Sequence, residues 1–108
     1  MPAALPEPIA TYFEAANAGH IEQACACFAA NAQVHDEAQD HVGLSAIHDW
    51  LEESTRKYAP QIEVTGTRQL ETALIVDVKV SGTFPGSPVK LAFQFSLNDD
   101  KITQLNIQ

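Results

Sequence analysis

Apolar positions recur along this chain with two different periods, and the change of period divides it in half. In the first half the spacing is helical. Ile9, Tyr12, Phe13 and Ala16 fall at i, i+3, i+4 and i+7, the buried stripe of an amphipathic helix. Pro6-Glu7-Pro8 predicts the start of that helix and Ala18-Gly19 its end, since proline suits a first turn and glycine a left-handed cap. The spacing predicts a second short helix over 21–29, a strand over 32–36, a polar loop over 37–42, and a third helix over 44–57 closed by Pro60. In that third helix Leu44, Ile47 and Leu51 share one side, with Trp50, Ser54 and Tyr58 beside them.

In the second half the period is two. Leu74, Val76, Val78 and Val80 alternate with Ile75, Asp77, Lys79 and Ser81, and Leu91, Phe93, Phe95 and Leu97 alternate with Lys90, Ala92, Gln94 and Ser96. Further strands fit 62–69 and 102–107, and Pro85-Gly86-Ser87-Pro88 and Asn98-Asp99-Asp100-Lys101 supply turns. Helices followed by an antiparallel meander predict an α+β fold, with the helices covering one face of a curved sheet and a cavity between them.

Two residues break the apolar pattern from inside it. Tyr12 lies in the buried stripe of the first helix, and strand alternation puts Asp36 on the same face as Ala32 and Val34. Burying either group without a partner costs about 1–3 kcal/mol, and more for an ionised carboxylate. A phenol and a carboxylate turned into one interior predict a pocket with an acid–base pair. The alternatives are a strand-end aspartate in water and a core tyrosine bonded to the nearest acceptor.

Composition narrows what could enter. The 108 residues suit one domain. Six basic against fourteen acidic residues leave a formal charge of −8, which argues against nucleic acid and anionic membranes as partners. No run approaches the about 20 apolar residues of a membrane span, and the first residues lack the pattern of a signal peptide, so the expected location is the cytoplasm. Cys25 and Cys27, two positions apart on a helix, cannot pair, and the stripe Ile21, Ala24, Cys25, Phe28 predicts Cys25 in the core with Cys27 facing elsewhere.

Other chemistry is thinly supported. His35, Asp36, Glu37, Asp40 and His41 cluster, but strand alternation sends their side chains to opposite faces, so no metal is expected. His35 is expected on the outer face or at a dimer seam, and His20 in solvent. His41 is placed at the pocket rim and His48 is a candidate second acid–base group facing the cavity. Trp50, Phe84, Phe93 and Phe95 are expected as pocket wall or core, because no basic residues interleave with them as in a base-stacking platform. The serines have no nucleophile-elbow context, and Gly82 and Gly86 belong to a hairpin turn instead of a phosphate loop.

The segments Tyr12-Phe13-Glu14-Ala15-Ala16-Asn17-Ala18-Gly19, Phe28-Ala29-Ala30-Asn31-Ala32 and His35-Asp36 together resemble the nuclear transport factor 2-like superfamily, in its ketosteroid-isomerase-like and SnoaL-like (polyketide-cyclase-like) branches. Gly43, Ala46-Ile47, Trp50, the Gly82 to Pro88 turn before Phe93-Gln94-Phe95, and Asp100-Lys101-Ile102 follow in the same order over nearly the whole chain. The resemblance implies a single domain over 1–108, a cone-shaped sheet wrapped round a long helix, a pocket for a small hydrophobic ligand, no cofactor, and a homodimer. It puts Asp36 where the isomerase branch keeps its base, and Tyr12 where it keeps a phenolic oxyanion donor. It also implies a protonated acid where this chain has Leu91, and a supporting tyrosine where it has Leu51. Three readings follow: a cofactor-independent isomerase, cyclase or lyase; a binding module with no chemistry; and a dimerising scaffold whose pocket is plugged by Trp50 and Phe95.

Overall fold

A computed structural model describes residues 5–36, 38–70 and 73–107. Helix α1 (Glu7–Ala18) carries proline in its first turn and ends on Gly19 at φ 75°, a left-handed conformation that costs glycine little. The chain then enters α2 (Ile21–Cys25), which is shorter than its pattern predicts. Strand β1 (Phe28–Asp36) takes over at once. Its start is fixed by pairing with the last strand, where the Ile102 N–H donates to the Cys27 carbonyl at 2.9 Å, and by Phe28, whose ring meets Tyr12 edge-on at 5.6 Å. These long-range contacts outweigh the local helical period, as tertiary packing commonly does. In consequence Cys27, not Cys25, is the buried cysteine.

A second correction follows. The expected polar loop contains β2 (Gln39–Val42), which pairs antiparallel with β1, with Ala38 in the intervening turn at φ 63°. Helix α3 (Leu44–Tyr58) and strands β3 (Gln61–Leu70), β4 (Ala73–Ser81), β5 (Val89–Asn98) and β6 (Lys101–Ile107) lie close to their predicted positions.

The six strands form one curved, unclosed sheet in the order β2-β1-β6-β5-β4-β3, parallel only between β1 and β6. This is an α+β architecture, a curved sheet wrapped round helices as the resemblance implies. Val76, Val78 and Val80 of β4 and Phe93 and Phe95 of β5 are buried on the inner face, in the alternation read from the sequence. Helix α1 lies across the Phe95 end, where Phe13 and Tyr12 meet the Phe95 ring at 5.7 and 6.0 Å.

The far end of α1 is tied to the edge strand by one side chain. Asn17 donates from Nδ2 to the Ile62 carbonyl at 2.9 Å and accepts the Ile62 N–H on Oδ1 at 2.7 Å. This pair of bonds copies a strand partner on the outer edge of β3, the side away from β4. Asn17→Ala should therefore destabilise the protein by about 1–2 kcal/mol, read as a lower urea midpoint with unchanged slope. An unchanged midpoint would show that water replaces the tether at no cost.

Candidate functional site

The curved sheet is wider than α1, and the uncovered part of its inner face forms a cavity of about 500 Å³ between α1, α3 and strands β3 to β5. Each wall follows from a local period. Helix α1 contributes Tyr12 and Ala16, one turn apart. Helix α3 contributes Leu51, Ser54, Thr55 and Tyr58, at i, i+3, i+4 and i+7, with Trp50 at the margin. Strand β5 contributes Val89, Leu91 and Phe93, successive residues of one face. Tyr12, Leu51, Val80 and Phe93 are the buried part of the lining, and Pro85 is its exposed rim.

That rim is held in place. The 82–88 turn hangs on the end of α3 through a bond from the Thr83 N–H to the Tyr58 carbonyl at 2.7 Å. Gly82 is required there, because a Cβ would overlap the same carbonyl oxygen. The turn thereby sets the Phe84 ring edge-on to Tyr58 at 5.7 Å.

Both inward-turned polar residues reach this cavity. Tyr12 is 2% exposed and stacks edge-to-face with Phe13, Phe28 and Phe95. Burial pushes its phenol well above the usual range, and the charge of Asp36 pushes it further, followed by Cys27. Tyr12 is thus a neutral hydroxyl across the physiological range, within electrostatic reach of Asp36. Asp36, at the end of β1, is half-buried, and its Oδ2 accepts the Trp50 indole N–H at 3.1 Å. Asp36 is the one carboxylate among the described lining residues, which include no lysine, arginine or histidine.

Trp50, Phe84, Leu91 and Phe93 line the cavity with them. Phe95 does not. It lies one alternation deeper on β5, beneath α1, and is 1% exposed as core. His48 also points elsewhere: it faces α2, where its Nε2 lies 3.2 Å from Glu22 Oε1, and this carboxylate raises its pKa. His41 belongs to β2 and stands behind Trp50, ring centroids 5.9 Å apart, beside a small polar cleft that shares Asp36, Trp50, Ser54 and Tyr58 with the main cavity. His35 is turned to the outer face, paired across the hairpin with Asp40 at 2.7 Å, and His20 is exposed. Glu37 lies outside the described residues. Among the described residues no group of three His, Cys, Asp or Glu side chains is placed to hold a metal, and no helix is long and apolar enough to cross a membrane.

Two features escaped the sequence reading. The polar end of α3 faces the cavity through Ser54, Thr55 and Tyr58, which extending the Leu51 stripe by one turn would have found. The Trp50–Asp36 bond joins residues on different elements and leaves no periodic signal.

The model of the SnoaL-like domain matches residues 9–105 of this chain. The chain belongs to the SnoaL-like family. A candidate polyketide cyclase from Sinorhizobium meliloti is 34% identical and superposes with a TM-score of 0.92, over 96% of this chain and 95% of that one. Two more distant structures share the fold of this SnoaL-like chain. One is a Catenulispora acidiphila protein with a ketosteroid isomerase-like fold, in complex with trimethylamine (16% identity, TM-score 0.83, covering 97% and 86%). The other is SalBIII, an epoxide hydrolase/cyclase-like enzyme with a role in pyran ring formation in the polyether salinomycin (19% identity, TM-score 0.81, covering 94% and 86%). None of the curated proteins matches the chain.

The buried phenol has a consequence for stability. A group whose pKa is raised in the folded state costs nothing below its unfolded pKa and loses stability above it. Unfolding should therefore become easier from about pH 10 upward, by about 1.4 kcal/mol per pH unit. Tyr12→Phe should remove that slope in urea titrations at alkaline pH. A slope unchanged by the substitution would place its origin elsewhere.

Proposed function

We propose that this SnoaL-like protein carries out cofactor-independent proton transfer on a small, hydrophobic carbonyl compound. The reading rests on one observation above the others: a neutral phenol and a carboxylate, close enough to feel each other, line an otherwise largely apolar cavity. In this scheme Asp36 takes a proton from the carbon next to the carbonyl. The C–H electron pair moves into the new C=C bond, and the carbonyl oxygen becomes an enolate oxygen that accepts a hydrogen bond from Tyr12. Return of the proton to another carbon gives an isomer; alternatively the enolate carbon attacks a second carbonyl, whose π pair moves to its oxygen and takes the proton from Asp36, closing a ring. The apolar walls expel water and strengthen both interactions.

The cavity size is in the range that encloses a small organic ligand, and its lining sets the ligand class. Leu51, Ile62, Val80, Leu91 and Phe93 offer no polar partner, so a ligand body of rings or chains fits and a charged one does not. Leu91 also favours a second reading, a binding module without chemistry, because it stands where the isomerase pattern keeps a second oxyanion donor. A missing donor of that kind costs about a hundred- to thousandfold in rate.

Hydrogen–deuterium exchange separates the two readings without the natural substrate. Quenching of the one tryptophan reports whether β-tetralone enters the cavity. In D₂O the protein should then speed exchange of its α-hydrogens, which are more acidic than those of the equally sized α-tetralone, and should favour the former. Asp36→Asn should return exchange to background, and Tyr12→Phe should slow it about a hundredfold. Binding without exchange would establish the module, and failure of every such ketone to bind would end both readings.

A further inference from the structure

Trp50 is half-buried, and an indole N–H withdrawn from water needs a hydrogen-bond acceptor. Here the indole, approaching from α3, gives its N–H to the carboxylate that lines the cavity, at 3.1 Å. The ring itself is backed by His41 at 5.9 Å and an interplanar angle of 33°. His41 reaches that place through the β1–β2 hairpin, in which Asp36 pairs with Gln39 and Val34 with His41. The hairpin that carries Asp36 therefore also carries the ring that supports the donor to Asp36.

We propose that Trp50 is a positioning residue, holding the Asp36 carboxylate in one orientation and setting how readily it accepts a proton. The inference rests on the reading of Asp36 as the base. The last torsion of an aspartate is broad and two-fold, so a carboxylate without a fixed donor turns easily. A donor locked between a helix and a hairpin removes that freedom and directs the carboxylate toward the cavity. The same bond favours the ionised form, so its loss should make Asp36 hold its proton to higher pH. Such a bond to a charged group is worth roughly tenfold or more in an equilibrium.

The environment around the pair allows the effect to be isolated. Among the described residues, the titratable groups facing Asp36 and Trp50 are His41 of β2, Glu53, Lys57 and Tyr58 of α3, and Tyr12 of α1. None of them changes if only the N–H is removed. Because the chain has one tryptophan, growth of a tryptophan auxotroph on benzothienylalanine replaces that N–H by sulphur at this position and nowhere else.

β-Tetralone exchange in D₂O is then followed against pH for the two proteins. With the donor removed, the maximal rate should fall about tenfold and the midpoint of the pH profile should move upward, while ketone binding stays within about twofold, since shape is kept. A packing role alone would move neither rate nor midpoint. Unchanged rate and midpoint, with exchange still abolished by Asp36→Asn, would overturn the inference and leave the base intact. Exchange that survives Asp36→Asn would overturn the base, and the inference with it.

Discussion

A curved six-stranded sheet presents more inner surface than one twelve-residue helix can cover, and this mismatch governs the molecule. Helix α1 settles where covering is most favourable, over the aromatic end of the sheet, with Phe13 and Tyr12 against Phe28, Phe93 and Phe95. Large rings there bury the most apolar area and set the helix height. The other end of α1 is fixed by Asn17 at the sheet edge, and α3 approaches from the β1–β2 side. What remains between three anchored elements is a cavity by construction, because none of them can collapse into it without breaking its own attachment.

Placing a phenol at the meeting point of helix and cavity has a chemical result. Tyr12 sits in surroundings that disfavour its anion, and Asp36 adds a repulsion of the same sign. The hydroxyl is restricted to one task, donating a hydrogen bond. Asp36 is in the opposite position. It is half-buried, near water through a polar cleft, and holds an indole donor that favours charge. The phenol is thereby held neutral beside the carboxylate, the pairing on which the proposed proton transfer depends.

Much of this was legible in the sequence. The strand faces of β4 and β5 and the span and caps of α1 follow from spacing and turn residues, because backbone geometry imposes those periods directly. The inward orientation of Tyr12 and Asp36 was legible for the same reason. The misses lie where long-range pairing competes with a local period. Helical spacing continues through Phe28, yet the β6 partner and the Tyr12 ring draw that residue into a strand, which exchanges the roles of Cys25 and Cys27. Residues 39–42 carry no apolar alternation because β2 is an edge strand with little to bury. Phe95 and Phe93 share one face, and only the position of α1 decides which is core and which is wall. His48 follows the buried Ile47, and one residue is a rotation of about 100° on a helix, enough to turn it from the expected cavity to α2.

Under the proposed mechanism, Leu91 at the place of the isomerase pattern's second donor bears on which carbon acids would suit the site. An enolate held by one neutral hydroxyl is less stabilised than one held by two donors, by an amount near the whole effect of a single oxyanion-hole group, about 3–4 kcal/mol. Nothing else among the described lining residues supplies a positive charge, and Ser54, Thr55 and Tyr58 lie on α3. The deficit then has to be met by the substrate. A carbon flanked by two activating groups, such as a second carbonyl or an aromatic ring, spreads its developing charge internally and asks less of the protein. Folded polyketide chains and aryl ketones have that property, whereas an isolated ketone does not. On the proposed reading, one carboxylate base, one neutral donor and a largely apolar lining match compounds that are hydrophobic in body and doubly activated at the reacting carbon, and the cavity would be filled best by a rigid, ring-bearing ligand.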